Sequence, residues 1–272
     1  MWGRYLNAAA LAGVCMRITI AGYGVVGRYL ESVFASAHDV ALYDPPQGLG
    51  RDEGLTDCDF VIVAVPTPEG PGGAADTSLV EEVVAKASPR AAIVIESTVP
   101  VGTTDRLVRE TGMPIVFVPE YAGETEGHPY REMSARTFFI YGGDEVPSKA
   151  VRDLYAGVFP AAKHFMVTAS TAEMVKYMEN AFLATKVAFC NEFFDLCAAT
   201  GVDYDEARAM WLQDWRIGPS HTIVTPERGY NGKCLPKDVA AVIATGRELG
   251  VPMEILESVQ RANARHRANP SQ

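Results

Sequence analysis

Short apolar runs recur through the first part of the chain, at residues 17–21, 40–43, 60–65, 92–96, 115–118 and 137–141. Most are continuous rather than alternating, the pattern of parallel strands buried on both faces. Helical patterns fall between them up to about residue 165. This alternation predicts an α/β fold, a Rossmann-like doubly wound parallel sheet. After residue 168 the pattern changes. Residues 171–200 contain no Gly or Pro and predict one long helix. Further helical patterns follow at 204–212, 238–249 and 253–267. The expected organisation is an N-terminal extension at 1–16, a sheet domain at 17–166 and an all-helical domain at 167–272 built on the long central helix.

The 272 residues are 48% hydrophobic and 21% charged, values that suit a folded globular protein and exclude a largely disordered one. The net charge of −10 argues against nucleic acid as a partner. No apolar run reaches membrane-spanning length, the longest being nine residues from Ala8 to Met16. Residues 1–15 faintly mimic a signal peptide, but a strand and a glycine turn follow at once; an upstream extension, with Met16 as an alternative start, is the reading preferred. The five cysteines are odd in number, irregular in spacing and lack any CxxC. That pattern predicts reduced thiols, no metal site and a cytoplasmic protein.

The first strand runs into GYGVVG at 22–27, a G-x-G-x-x-G turn before a helix. Gly22 permits the tight turn, Gly24 lets a pyrophosphate approach the backbone, and Gly27 lets helix and strand pack closely. The helix N-terminus offers free N–H groups to the phosphates. Asp44 ends the second strand, 17 residues beyond Gly27. A carboxylate there accepts from both ribose hydroxyls and repels a 2′-phosphate, so NAD is expected rather than NADP.

GYNGKCLPKD at 229–238 is a second constellation. Asn231 and Gly232 suit a tight turn, and Pro236 suits the start of a helix. Cys234 would then sit just before a helix N-terminus, flanked by Lys233 and Lys237, an environment that favours the thiolate. Asp238, four residues on, lies within reach of it. A nucleophilic thiol beside a carboxylate suits covalent catalysis followed by hydrolysis. On the long helix, Lys176 and Asn180 are spaced i, i+4 and share a face, where a cation and an amide could stabilise an oxyanion.

Together with VAVPTP at 63–68, ESTVPVGTT at 96–104, PEYAGE at 119–124, EMVKYMENAFLATKVAFCNE at 173–192 and RIG at 216–218, these segments resemble the UDP-glucose/GDP-mannose dehydrogenase family. They occur in the family's order and cover nearly the whole chain from residue 17. The resemblance implies oxidation of a primary alcohol of a nucleotide sugar, or a related nucleotide or nucleoside, to a carboxylate, with two NAD⁺ and a cysteine thioester. It implies Cys234 as nucleophile, Asp238 in thioester hydrolysis, and Lys176 and Asn180 holding the reacting oxygen. Glu120 and Glu124 match the glutamates of the PE segment, and Thr98 the threonine near the reactive water. The cofactor set it implies is Gly22, Tyr23, Gly24, Val25, Val26, Gly27, Asp44, Val65, Pro66, Thr67, Ser97, Thr98 and Lys237. A homodimer through residues 171–200 is implied as well.

The chain departs from the family's pattern at Gly123, where many members carry Arg, at Asn231 in place of a glycine, and at Pro45-Pro46 after Asp44. Members usually continue into a further nucleotide-binding domain, so the expectation is a short form without it. Two alternatives stay open. A two-electron hydroxyacid-type dehydrogenase would have no use for Cys234 and Asp238, and a non-catalytic NAD-binding module would have no reason to keep the full set.

Overall fold

The computed structural model describes residues 14–123 and 135–270; most of the expected N-terminal extension, and Glu124, lie outside the described residues. The apolar runs form strands β1 (Arg17–Ala21), β2 (Asp39–Tyr43), β3 (Phe60–Val63), β4 (Ala92–Ile95) and β5 (Ile115–Phe117). Two more strands, β6 (Phe138–Gly142) and β7 (Lys163–Val167), complete one sheet in the order β2-β1-β3-β4-β5-β6-β7. The first five strands are parallel. The strand order reverses at β1, which lies between β2 and β3, so the crevice beyond the carboxyl ends of β1 and β3 is a topological switch point.

The parallel-dominated sheet that the sequence pattern predicts carries one antiparallel pairing. β6 runs antiparallel to β5, with Phe117 opposite Gly142, and β7 then pairs parallel with β6. The apolar pattern also misses β7. Its Lys163, Phe165 and Met166 are exposed on the edge of the sheet, and only the half-buried His164 and Val167 turn inward, so the run carries no continuous apolar face to read.

Helices α1 (Val25–Phe34), α2 (Glu53–Thr56), α3 (Ser78–Lys86), α4 (Thr103–Thr111) and α5 (Glu145–Val158) accompany the strands. One face of the sheet packs Val61, Val63, Ile93 and Ile95 with Val80 and Val84 of α3 and Leu107 of α4. The other packs Ile18, Ile20, Ile62 and Val94 with Leu30 and Phe34 of α1 and Val151 and Tyr155 of α5. Each such fully buried side chain contributes roughly 1.5–3 kcal/mol.

The long helix is α6 (Ala169–Thr200), followed by α7 (Tyr204–Trp211), α8 (Leu235–Glu248) and α9 (Glu254–Ala268). The chain divides into two compact units between Lys176 and Tyr177, within α6, and the short stretch Pro68–Ala75 joins the second. In that second unit Ala181, Ala184 and Ala188 of α6 pack with Val239 and Ile243 of α8 and Leu256 and Val259 of α9. No helix among the described residues is long and apolar enough to cross a membrane.

Candidate functional site

In the first unit, the glycine turn leaves β1 at the switch point. Gly22 has φ 96°, and a Cβ there would lie 2.5 Å from the carbonyl oxygen of Ala64, so only glycine fits. Gly27 is held as closely: a Cβ would meet the carbonyl oxygen of Gly22 at 2.1 Å. Gly24 differs, because a Cβ would meet nothing within 4 Å. It is the N-cap of α1, and no side chain caps the helix, so the first-turn N–H groups around Val25 and Val26 face open space. That cradle fits a pyrophosphate.

Asp44 follows β2 and accepts the N–H of Tyr23 at 2.7 Å. Gln47, which the sequence pattern does not single out, donates from Nε2 to Asp44 at 2.7 Å and to the carbonyl of Tyr23 at 3.1 Å. The carboxylate therefore organises the turn as well as facing it. The N–H of Gln47 donates to the other carboxylate oxygen at 3.3 Å, so of about four acceptor sites on an ionised carboxylate roughly one stays open for a ribose hydroxyl. Val65, Pro66 and Thr67 follow β3, and Ser97 and Thr98 follow the neighbouring β4. The two segments are tied together: Ser97 Oγ donates to the carbonyl of Val65 and Thr67 Oγ1 to that of Thr98, each at 2.7 Å.

A buried polar cluster lies in the same unit. Glu120 accepts from the N–H groups of Tyr121 and Ala122 at 2.7 and 2.6 Å and from Arg136 Nη1 at 2.7 Å. The Arg136 guanidinium packs 4.1 Å from the ring centre of Phe139. Lys176, buried on α6, places its ammonium 4.8 Å from the ring centre of Tyr121. Glu96 accepts from the Tyr155 hydroxyl at 2.5 Å, and its Oε2 has no hydrogen-bond partner among the described residues. Burial, reinforced by the charge of Glu120, pushes Glu96 up to about 8. Glu96 opens the ESTVPVGTT segment without a role legible there, and Arg136 does not stand out in the sequence, because their roles come from burial and from distant partners.

In the second unit, Cys234 is exposed and is the N-cap residue of α8, with Leu235 and Pro236 opening the helix. The N–H of Asp238 donates to the carbonyl of Cys234 at 3.0 Å, closing the first turn. Asp238 is fully buried, and both of its oxygens are occupied: Asn180 Nδ2 donates to one and Lys237 Nζ to the other, each at 2.5 Å. Asn180, read from its spacing with Lys176, is thus also joined to Asp238, and Lys237, expected beside the cofactor, forms an ion pair with the same carboxylate. Lys186 on α6 donates to the carbonyls of Ile217 and Gly218 at 3.1 and 2.6 Å, which anchors the RIG segment.

Two family models match the chain. The NAD-binding domain model of the UDP-glucose/GDP-mannose dehydrogenase family covers residues 50–158, and the central-domain model covers 170–265. A UDP-glucose 6-dehydrogenase of Pseudomonas aeruginosa is 34% identical over 88% of this chain and 55% of its own length. One of Rhizobium meliloti is 32% identical over 91% of this chain and 67% of its own. The chain therefore spans between about half and two thirds of the length of these relatives. A solved UDP-glucose dehydrogenase from Pyrobaculum islandicum superposes with a TM-score of 0.82 at 28% identity, covering 93% of this chain and 69% of that one.

Proposed function

The chain belongs to the UDP-glucose/GDP-mannose dehydrogenase family, and we propose that it oxidises a primary alcohol of a nucleotide-type substrate, such as a UDP-sugar, to a carboxylate with NAD as cofactor. The observation that carries this reading is the thiol at the N-cap of α8, followed one turn later by a buried aspartate bonded to Asn180 and Lys237.

Bound NAD⁺ supplies the hydride acceptor for each of two successive two-electron oxidations. Between them the Cys234 thiolate adds to the aldehyde carbon, so a C–S bond forms and the carbonyl oxygen becomes an alkoxide. Loss of hydride from that carbon leaves a thioester. Water then attacks the thioester carbonyl, the C–S bond breaks, and the thiolate returns as the acid leaves. The balance is one alcohol, two NAD⁺ and one water to one carboxylate, two NADH and three protons. Lys176 stabilises negative charge on the reacting oxygen. Asn180 and Lys237 orient Asp238, which takes the proton of the attacking water. Thr98 accompanies that water, and Glu120 and Glu124 stand at the positions of the two glutamates of the family's PE segment.

Reduced cofactor and product mass test the reaction. Two NADH per acid released support it, whereas one NADH with a carbonyl product and full turnover by Cys234→Ser would overturn it. Asp238→Asn is expected to form the thioester but hydrolyse it slowly, leaving a covalent adduct visible by intact-protein mass.

A further inference from the structure

Four residues before the thiol, the backbone is gripped from two helices. The N–H of Gly229 donates to Asn191 Oδ1 on α6 at 3.1 Å. Tyr230 pairs with Asn263 on α9 in both directions, its N–H donating to Oδ1 at 2.7 Å and its carbonyl accepting from Nδ2 at 3.0 Å. The entry to this grip is left-handed at two successive residues, Arg228 with φ 52° and Gly229 with φ 61°. A Cβ on Gly229 would fall 2.3 Å from Asn263 Oδ1, so the grip closes only on glycine.

Arg228 is unusual on two counts. A bulky side chain rarely adopts positive φ, and a guanidinium is rarely buried unless paired. Here it is 3% exposed. Its Nε donates to the same Asn191 Oδ1 at 2.8 Å, its Nη2 donates to Asp195 at 2.5 Å, and its guanidinium lies 4.8 Å from the ring centre of Phe194. His266 of α9 closes the cluster, with Nδ1 3.5 Å from Asp195. Strained backbone of this kind persists only where its surroundings over-determine it. After Tyr230, only the exposed Asn231, Gly232 and Lys233 separate the grip from Cys234.

We propose that Asn191, Arg228 and Asn263 are positioning residues that hold the strand of chain entering the thiol turn, so that Cys234 is presented from a fixed anchor on α6 and α9. The proposal rests on the reading of Cys234 as the nucleophile. It makes α9, which carries none of the groups assigned to the reaction, part of the apparatus that places the thiol. Asn191 and Asn263 meet the backbone upstream of the thiol, and Arg228 ties that segment to α6; the proposal gives none of them contact with substrate.

The test compares Asn191→Leu with Asn191→Asp. Leucine removes the acceptor shared by Gly229 and Arg228, whereas aspartate keeps it. Asn263→Ala is the second variant, acting from the other helix. Leucine and alanine are expected to speed amide exchange at Gly229 and Tyr230 and to lower kcat about 10–100-fold, the scale of a misplaced reacting group. NAD⁺ affinity should stay unchanged, and Asn191→Asp should keep kcat within about threefold of the parent. If both altered proteins fold and turn over within twofold of the parent while Cys234→Ser is inactive, the grip is refuted and the thiol reading stands. Unfolding of both, or slow turnover without faster exchange at 229–230, would assign the residues to stability alone and overturn the proposal. Failure of the thiol reading shows separately, as full turnover by Cys234→Ser.

Discussion

Asp44 shows how one side chain can serve structure and binding together. Its carboxylate accepts from the Tyr23 N–H and from the N–H and Nε2 of Gln47, and still has capacity for one ribose hydroxyl. Asp44→Ala is expected to weaken NAD⁺ binding by about 1–3 kcal/mol, the range for a hydrogen bond to a charged group, as measured by calorimetry. Gln47→Ala, which leaves the carboxylate in place, should shift it by less than about 1 kcal/mol. Glu96 gives a pH signature. Its folded value, about 8, lies above the usual carboxylate range because burial and the charge of Glu120 disfavour ionisation. The folded state therefore holds a proton that the unfolded chain releases. That contribution is full below the ordinary carboxylate value and is lost as pH rises through about 8. Glu96→Gln stays neutral at every pH. Its stability relative to the parent should thus improve between pH 5 and pH 8.5, by on the order of 2–4 kcal/mol in urea titrations. An unchanged difference would show that Glu96 ionises at little cost.

At the scale of elements, α6 caps a helix of the sheet domain. The N-cap residue of α4 is Gly102, which has no side chain to offer. Glu173, in the first turns of α6, accepts the N–H groups of Gly102 and Thr104 at 2.6 and 2.9 Å. It is fully buried, and burial raises its value from the ordinary one. Glu173→Ala would leave one buried and one half-buried donor without this partner, and is expected to destabilise the protein by about 1–3 kcal/mol in denaturant titrations. The same glutamate opens the family's long-helix segment, and at that position it caps α4. At the other end of the chain, α8 starts where local rules place it, since proline fits the first turn and glycine the turn before it.

At the scale of the molecule, the chain covers only one side of α6. Tyr177, Ala181, Ala184 and Ala188 are buried, while Met178, Phe182, Phe189, Phe193 and Leu196 are exposed along another side. Phe182 is 63% exposed and Met178 64%. Soluble monomers rarely leave so contiguous an apolar stripe in water. We expect a homodimer through this helix. Light scattering should give twice the chain mass at micromolar concentration, and Phe182→Glu should yield a monomer. A parent chain that stays monomeric there would refute the assembly.

Much of the fold was legible because it rests on local rules. Continuous apolar runs at 60–63 and 92–95 mark strands buried on both faces, GYGVVG marks a strand-turn-helix, and CLPKD marks a helix start. These signals span a few residues and follow from backbone sterics and the need to bury apolar surface. What only the tertiary structure decided depends on residues far apart in sequence. Asn180 meets Asp238 across 58 positions, and Tyr155 meets Glu96 across 59. No periodicity encodes such pairs, so spacing alone joins neither Asn180 to Asp238 nor Glu96 to Tyr155. The edge strand β7 was hidden for a related reason: its backbone pairs with β6, but Lys163, Phe165 and Met166 are exposed and only His164 and Val167 turn toward the core, too few to leave an apolar pattern to read.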